Sequence, residues 1–393
     1  MSPAWIAIAC VHGLGIAIAA AAALYAWAAL LATHKRLPAP PTPCQSSSGP
    51  AAVSVLKPLH GTDPSLYENL RSFCRQAHPD YQLVFGVRDP EDPAIAVVQR
   101  LQAEFPRLPI ALVVDPRTHG RNPKVSNLIN MLPFAQHDVL VISDSDVSVP
   151  TDYLARVTAP LADPGTGIVT CLYRGVPGRG IWSRFGRLFV DDWFIPSVRL
   201  AYVFNWTRFA FGSTIAVRRA VLQDIGGFTA LRDTLADDFW LGELTRQRRL
   251  RTVVSDLVIG TQIGETQLSS LWAHELRWLR TIRAIAPSGF VMLWVCFTLP
   301  ILLLGVALAP GPVTLGLLVF GLVARILLHF AQRRGLPEPP PRWDVVSILP
   351  RDTLSLFEWV AALSGWRVTW RGQVLDARAT TTLCAGGWVR KRK

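Results

Sequence analysis

Two carboxylates, Asp144 and Asp146, follow the apolar run Val139-Leu-Val-Ile142 with a single serine between them. At that spacing they offer hard oxygen ligands that can share Mg2+ or Mn2+, and such a cation can hold a diphosphate. The same pair can instead simply cap the turn after the run, because Asp bonds its own backbone in turns. More acidic residues stand at Asp89 and Asp92, in Arg88-Asp-Pro-Glu-Asp-Pro93, and at Asp237 and Asp238, in Leu235-Ala-Asp-Asp-Phe-Trp240. An Asp opening a helix can be an N-cap. The helix amino end also favours its ionised form. Cations come from Lys124 and from the stretch His274-Glu-Leu-Arg-Trp278, where Arg277, Arg280 and Arg283 recur three apart. That arginine row is either a solvated or headgroup-facing basic face or a guanidinium clamp for a departing diphosphate.

The elements that must carry these groups read as an α/β domain. Val139–Ile142 is short and β-branched, as expected for a strand buried on both faces, and ligands of open α/β sheets gather at the carboxyl ends of such strands. Before it come a strand at 52–56 closed by Lys57-Pro58, a helix at 65–76 and a strand at 81–87. A helix at 94–104, a strand at 110–114, a loop through Lys124 and a helix at 125–131 follow. This alternation predicts a doubly wound parallel sheet. Short strands at 168–172 and 214–217 flank a segment rich in Trp, Phe and Arg, whose Trp182, Phe185, Phe189, Trp193 and Phe194 suit either a core or a lipid headgroup layer. Neither Gly-x-Gly-x-x-Gly nor a Walker loop follows the first strand, which disfavours nicotinamide enzymes and NTPases.

Of the 393 residues 50% are hydrophobic, and the mean hydropathy is +0.28. The excess lies towards the two ends. Residues 5–33 are almost wholly apolar and end at His34-Lys-Arg36; they are long enough to span a bilayer and too long for a signal-peptide core. The basic pair assigns the following domain to the cytoplasm. Two further apolar runs, 289–309 and 313–330, broken by Pro310-Gly-Pro312, predict a transmembrane hairpin. The run 343–363, interrupted by Pro350-Arg-Asp352, reads as re-entrant or interfacial. The expected division is a membrane anchor at 1–36, a linker at 37–50, a cytosolic domain at 51–288, the hairpin at 289–335, and the re-entrant segment with its basic tail at 336–393. The net charge of +12 is scattered and no nucleic-acid motif accompanies it, so an anionic bilayer is the expected partner. Six cysteines without a Cys-x-x-Cys pair suit a reduced compartment.

In chain order, the pieces Val53-Ser-Val-Leu-Lys-Pro-Leu59 with Gly61, Asp92-Pro-Ala-Ile95, Asn122-Pro-Lys124 with Asn127-Leu128, Ile142-Ser-Asp-Ser145, Ala236-Asp-Asp-Phe239 and Arg277-Trp278 form a set. It resembles the family-2-type glycosyltransferases with the nucleotide-sugar, Rossmann-like fold called GT-A. More closely, it resembles the ceramide glucosyltransferase branch and its bacterial hopanoid-glycosylating relatives. The resemblance implies Asp92 at the uridine end of a UDP-sugar donor, with Asp89 sharing that role nearer the strand tip. It implies Asp144 with Asp146 as the metal pair, Asp238 as general base, and Arg277 and Trp278 as the end of a motif written Gln/Arg-x-x-Arg-Trp. His274 departs from that pattern. Lys124 adds a cation for the diphosphate, and Asp237 stands beside the base. The implied protein is a multi-pass membrane enzyme, in a bacterial inner membrane, that inverts one sugar onto a lipid hydroxyl. N-acetylglucosamine and bacteriohopanetetrol are favoured; ceramide with UDP-glucose is the alternative. Three apolar runs are too few for a polymer-secreting channel. A non-catalytic membrane scaffold is the alternative of another class.

Overall fold

A computed structural model describes residues 3–35, 50–63, 65–204, 206, 210–334, 342–370 and 373–380. The linker at 37–49 and the basic end of the tail lie outside these residues. The chain forms two compact units: residues 36–176 with 207–264, and residues 1–35 with 177–206 and 265–393.

The first of these units is built on one eight-stranded sheet. Its strands are β1 (Val53–Pro58), β2 (Tyr81–Val87), β3 (Ile110–Val114), β4 (Val139–Ile142), β5 (Val147–Ser148), β6 (Thr166–Pro177), β7 (Ile215–Arg218) and β8 (Arg251–Ile263), in the spatial order β3-β2-β1-β4-β7-β6-β8-β5. Because side chains alternate across a strand, Val53, Val55, Leu83, Phe85, Val139 and Val141 fill one core. Leu56, Val84, Leu140, Ile142, Ile215 and Val217 fill the other. The sheet is mixed, not parallel throughout. β1 runs parallel to β2 and β4, and β2 to β3, whereas β7 is antiparallel to both β4 and β6, and β5 to β8. A helical crossover is what makes neighbouring strands parallel. The chain enters β7 after leaving this unit at 177–206, and it returns in the opposite sense.

The second unit contains two helices long and apolar enough to cross a membrane, Pro3–His34 and Pro312–Ala331. A bent pair, Pro287–Cys296 and Thr298–Leu308, raises the number to as many as three if the pair is one span. The first limb of the expected hairpin is therefore not straight: its halves meet at 75°. Past the break the helix restarts at Thr298, and the Leu299 N–H in its first turn, which has no acceptor within the helix, donates to Asp352 Oδ2 at 3.4 Å. The Trp/Phe segment supplies core in this unit: Phe189 and Trp193 pack with Leu279, Phe290 and Phe297. Residues 348–362 form one continuous helix in which Pro350 is accommodated in the first turn. Its Arg351 and Asp352 are buried. Asp352 bonds Arg325 at 2.8 Å, and Arg325 also bonds Asp192 at 3.1 Å, so the one arginine within Pro312–Ala331 is held by two carboxylates.

Small residues let these helices approach closely. A Cβ added at Gly305 would lie 2.7 Å from Ala19 Cβ and 2.8 Å from Gly15 O. Gly305→Val is expected to cost about 1–3 kcal/mol by overpacking, read as a lower unfolding temperature in detergent. Gly316→Ala, which meets open space, should not lower that temperature.

Candidate active site

β4 delivers Asp144 to its carboxyl end, and the Ser143 N–H donates to Leu56 O of β1 at 3.1 Å, which fixes the turn. Beneath the turn lies Lys57, fully buried because alternation along β1 puts it on the same face as Val53 and Val55. Its ammonium donates to Asp144 O at 2.7 Å and Ser143 Oγ at 3.3 Å and sits 3.5 Å from the Phe73 ring centroid. Burial lowers the Lys57 pKa to about 7 against the pull of Asp146 and Asp144. Asp146 is held from the far side by β8, where Thr261 Oγ1 donates to its Oδ2 at 3.0 Å.

A second wall comes from the helices Pro123–Met131 and Asp237–Gln247. Asn122 caps the former, its Oδ1 accepting from Val125 N–H at 3.0 Å. Its Nδ2 donates to Thr234 O at 2.8 Å and to Asp237 Oδ1 at 3.5 Å, tying the two helix starts together. Lys124 is thereby aimed at three carboxylates. Its Nζ lies 2.6 Å from Asp144 Oδ1 and 3.5 Å from Asp237 Oδ2, and Asp238 also acts on it. Burial works against the Lys124 charge, but these carboxylates outweigh it and raise its pKa.

Asp238 is neither an N-cap nor the readily ionised acid expected at a helix start; Ala236 holds the cap position. Asp238 Oδ2 accepts from Gly212 N–H at 2.9 Å and its Oδ1 from Phe239 N–H at 2.8 Å. Burial, then the charge of Asp237, push its pKa up to about 6, against the pull of Lys124 and these two N–H groups. A point at the Cβ position of Gly212 lies 3.4 Å from each of Asp144 Oδ2, Asp238 Oδ2 and Lys124 Nζ. The two carboxylate oxygens are thus no farther apart than twice that distance. Lys57 and Gly212 escaped the sequence reading. The alternation Val53, Val55, Lys57 was the available signal for the lysine; nothing local marked the glycine.

The donor set fits a divalent cation. Asp144, Asp146, Asp237 and Asp238, when ionised, outnumber Lys57 and Lys124 by two charges, and burial and the charge of Asp144 raise the Asp146 pKa. Asp144 and Asp146 are the pair that would hold Mg2+ or Mn2+, with further oxygens supplied by phosphate and water. Among the described residues no group of three or more His, Cys, Asp or Glu forms a complete protein cage.

A family model described as Glycosyl transferase family 21 matches residues 14–383. The chain belongs to glycosyl transferase family 21. Ceramide glucosyltransferase 1 of Caenorhabditis elegans is 26% identical over 262 residues, covering 66% of this chain and 54% of the relative. Ceramide glucosyltransferase 3 of the same organism is 24% identical over 238 residues, covering 60% and 51%. The chain thus spans about half the length of these curated relatives. Among solved structures, the mannosyltransferase PcManGT from Pyrobaculum calidifontis in complex with GDP-Man and Mn2+ superposes with a TM-score of 0.55. It is 22% identical and covers 90% of this chain and 97% of that one, a likeness of fold. The sheet is that of GT-A glycosyltransferases.

The remaining residues that the family resemblance singled out are placed as follows. Asp92 is buried and engaged with backbone: Gly61 N–H donates to both its oxygens, at 3.0 and 3.1 Å, and Ala94 N–H to Oδ1 at 2.9 Å. Asp89, three residues earlier, is exposed, its Oδ1 accepting from Glu91 N–H. Arg277, Trp278 and His274 belong to the second unit, on the helix Leu268–Ile285. The arginine row divides there. Arg280 and Arg283 donate to the carbonyls of Ser364, Gly365 and Arg367, and Arg283 lies 3.5 Å from the Trp366 ring centroid. Those two are docking residues of their own unit.

Removing the Lys124 charge is expected to leave Asp144, Asp237 and Asp238 repelling one another. The folded-state pKa of Lys124 is raised, so its stabilisation is complete below the unfolded lysine value and lost only as pH climbs through the raised one. Lys124→Met should therefore cost about 1–3 kcal/mol near pH 8, less than a fully buried pair because water reaches Asp144. The cost should shrink near pH 5, as carboxyls in the variant take up protons. Thermal unfolding at the two pH values checks this.

Proposed function

We propose that the protein is an inverting, UDP-sugar-dependent hexosyltransferase acting on a hydroxyl of a membrane lipid. One observation carries this reading: Asp144, Asp238 and Lys124 surround a single point beside Gly212, with Asp237 3.5 Å from the Lys124 ammonium. In this reading Asp238 takes the proton of the acceptor hydroxyl as it attacks the anomeric carbon from the face opposite the diphosphate. General-base help of this kind is worth about a hundredfold to ten-thousandfold. A pKa of about 6 keeps Asp238 largely ionised at neutral pH yet basic enough to accept a proton. Asp237, fixed by Asn122, keeps that pKa high, and Gly212 N–H aims the carboxylate. When bound on Asp144 and Asp146, Mg2+ or Mn2+ supplies charge stabilisation for the leaving diphosphate. Lys124 is the cation assigned to the same group, and Asp89 and Asp92 serve the uridine end; Arg277 and Trp278 are assigned to donor binding by the family resemblance alone. Because Asp92 is buried and already accepts three backbone N–H bonds, the exposed Asp89 is the better placed of the two to offer a carboxylate oxygen.

The lipid acceptor follows from the apolar helices and from the names of the relatives. Those names favour ceramide with UDP-glucose. Resemblance to hopanoid-glycosylating enzymes, with His274 in place of Gln or Arg, favours UDP-N-acetylglucosamine and a hopanoid polyol such as bacteriohopanetetrol. We place the enzyme in a membrane, multi-pass and in bacteria the inner one, with residues 51–288 on the cytoplasmic side.

Incubating the purified protein with UDP-glucose or UDP-N-acetylglucosamine and with ceramide or hopanoid polyol, then weighing the product by mass spectrometry, separates these acceptors. No product and no UDP binding would leave a scaffold. Asp238→Asn is expected to lower transfer at least a hundredfold while UDP still binds in the presence of Mn2+. Because the proton-accepting form is the ionised one, kcat/KM should rise with pH through about 6 and then level. A flat profile between about pH 5 and 8 would assign the base elsewhere.

A further inference from the structure

Asp238 Oδ2 is held by one backbone group from outside its own helix, the Gly212 N–H at 2.9 Å. Gly212 is the second residue of a four-residue turn, Phe211-Gly-Ser-Thr214, closed by the Thr214 N–H donating to Phe211 O at 3.1 Å. The direction of the Gly212 N–H is therefore set by whatever holds the two ends of this turn.

Both ends are held by a single side chain. β6 pairs with β7 through Ile168, Val169 and Thr170, and the ladder between them stops at Thr170, opposite Ile215. The branched side chain suits a strand, and its complete burial obliges the hydroxyl to find partners. Thr170 Oγ1 accepts from Phe211 N–H at 2.9 Å and donates to Thr214 O at 2.8 Å, with Phe211 O at 3.2 Å. A hydroxyl has one proton to give and two lone pairs to offer, so it can serve both ends of the turn at once. A valine of the same shape could serve neither.

A second buried hydroxyl reaches the same turn. Tyr153, which opens the helix Tyr153–Thr158, places its OH 2.9 Å from Thr214 Oγ1, and Thr214 Oγ1 donates to Ser213 O at 2.8 Å. The Tyr153 ring stands edge-on to Phe73 at 5.5 Å between centroids, the ring that the Lys57 ammonium also meets. The Ser143 hydroxyl acts on the Tyr153 hydroxyl as well, and Ser143 directly precedes Asp144. The turn that carries Gly212 and the turn that carries Asp144 thus draw on one buried set of hydroxyls, all within the unit that holds the sheet.

We propose that Thr170, supported by Tyr153, is a positioning residue for sugar transfer: it holds the Phe211–Thr214 turn so that Gly212 N–H meets the Asp238 carboxylate. Both residues are fully buried and act only through the turn. This inference rests on the reading in which Asp238 is the general base.

The test is the pH dependence of transfer by the full-length protein in detergent, beside calorimetric titration with UDP and Mn2+. The substrates are UDP-glucose with ceramide and UDP-N-acetylglucosamine with bacteriohopanetetrol. Thr170→Val is expected to lower kcat about tenfold through a modest misplacement of the base. It should also move the midpoint of the kcat/KM profile upward from about 6, because a carboxylate that loses an N–H donor holds its proton more tightly. UDP should bind this variant as it binds the unaltered protein. Thr170→Ser, which keeps the hydroxyl, should restore both rate and midpoint. Tyr153→Phe should move the midpoint in the same direction by less, and it carries the test if Thr170→Val does not fold and so binds no UDP. A midpoint that stays in place in Thr170→Val, or in Tyr153→Phe where that variant carries the test, overturns the proposal while Asp238 remains the base. Undiminished transfer by Asp238→Asn, or no transfer by the unaltered protein with either substrate pair, removes the base reading and this positioning role with it.

Discussion

The central constraint on this molecule is the electrostatics of packing three carboxylates around the buried ammonium of Lys124, with a fourth, Asp146, facing the buried Lys57. Asp144 from the end of β4 and the adjacent Asp237 and Asp238 from a helix start repel one another, and Asp146 adds to the load nearby. Lys124 offsets part of that repulsion, and the remaining deficit of charge is what a divalent cation and its ligands would complete. Much of the surrounding structure can be read as the means of holding this arrangement together. Asn122 links the two helix starts, Gly212 N–H holds Asp238, Thr261 holds Asp146, and Lys57 supports the turn from inside the core. Each is a directed hydrogen bond to a group that would otherwise be free to move away from its neighbours.

Some of this was legible in the sequence, for physical reasons. Val139–Ile142 is a short β-branched run, and the strand it predicts ends where the structure ends it; the strand at 110–114 and the helix at 94–104 were equally plain. Strand direction was not legible, because periodicity reports which face a residue takes and says nothing about which way the chain runs. β7 is antiparallel to β4, and the chain reaches it after a segment of some thirty residues that belongs to the other unit. Lys57 was hidden by its own residue type, since lysine is ordinarily read as surface. The raised pKa of Asp238 was missed as well: the sequence shows a helix amino end, which favours ionisation, but not the depth of burial and the facing Asp237 that overrule it. The Asp144–Lys124 pair, twenty residues apart, required the fold.

The second unit follows the opposite rule to a soluble domain. In the helix Ile348–Ala362 the buried face carries Arg351, Asp352, Ser355 and Glu358, while Leu349, Phe357 and Val360 face outward. An apolar exterior around a charged, internally paired interior is the arrangement suited to a lipid surrounding, where unpaired charge is costly and apolar surface is not. It explains why Pro350-Arg-Asp352, which interrupts the hydropathy of this run, does not interrupt the helix. It also explains how the first-turn N–H of Leu299, just past the bend, finds a carboxylate to accept it.

The most direct test of the account is to locate the cation itself. Crystals or particles of the unaltered protein grown with UDP and Mn2+ should show a single manganese peak, in anomalous difference density or as an ordered ion, in contact with carboxylate oxygens of Asp144 and Asp146 and with the phosphates. Asp238 should stand across from it, its carboxylate still held by Gly212 N–H. Manganese bound elsewhere, or UDP phosphates ordered without any ion at Asp144 and Asp146, would contradict it.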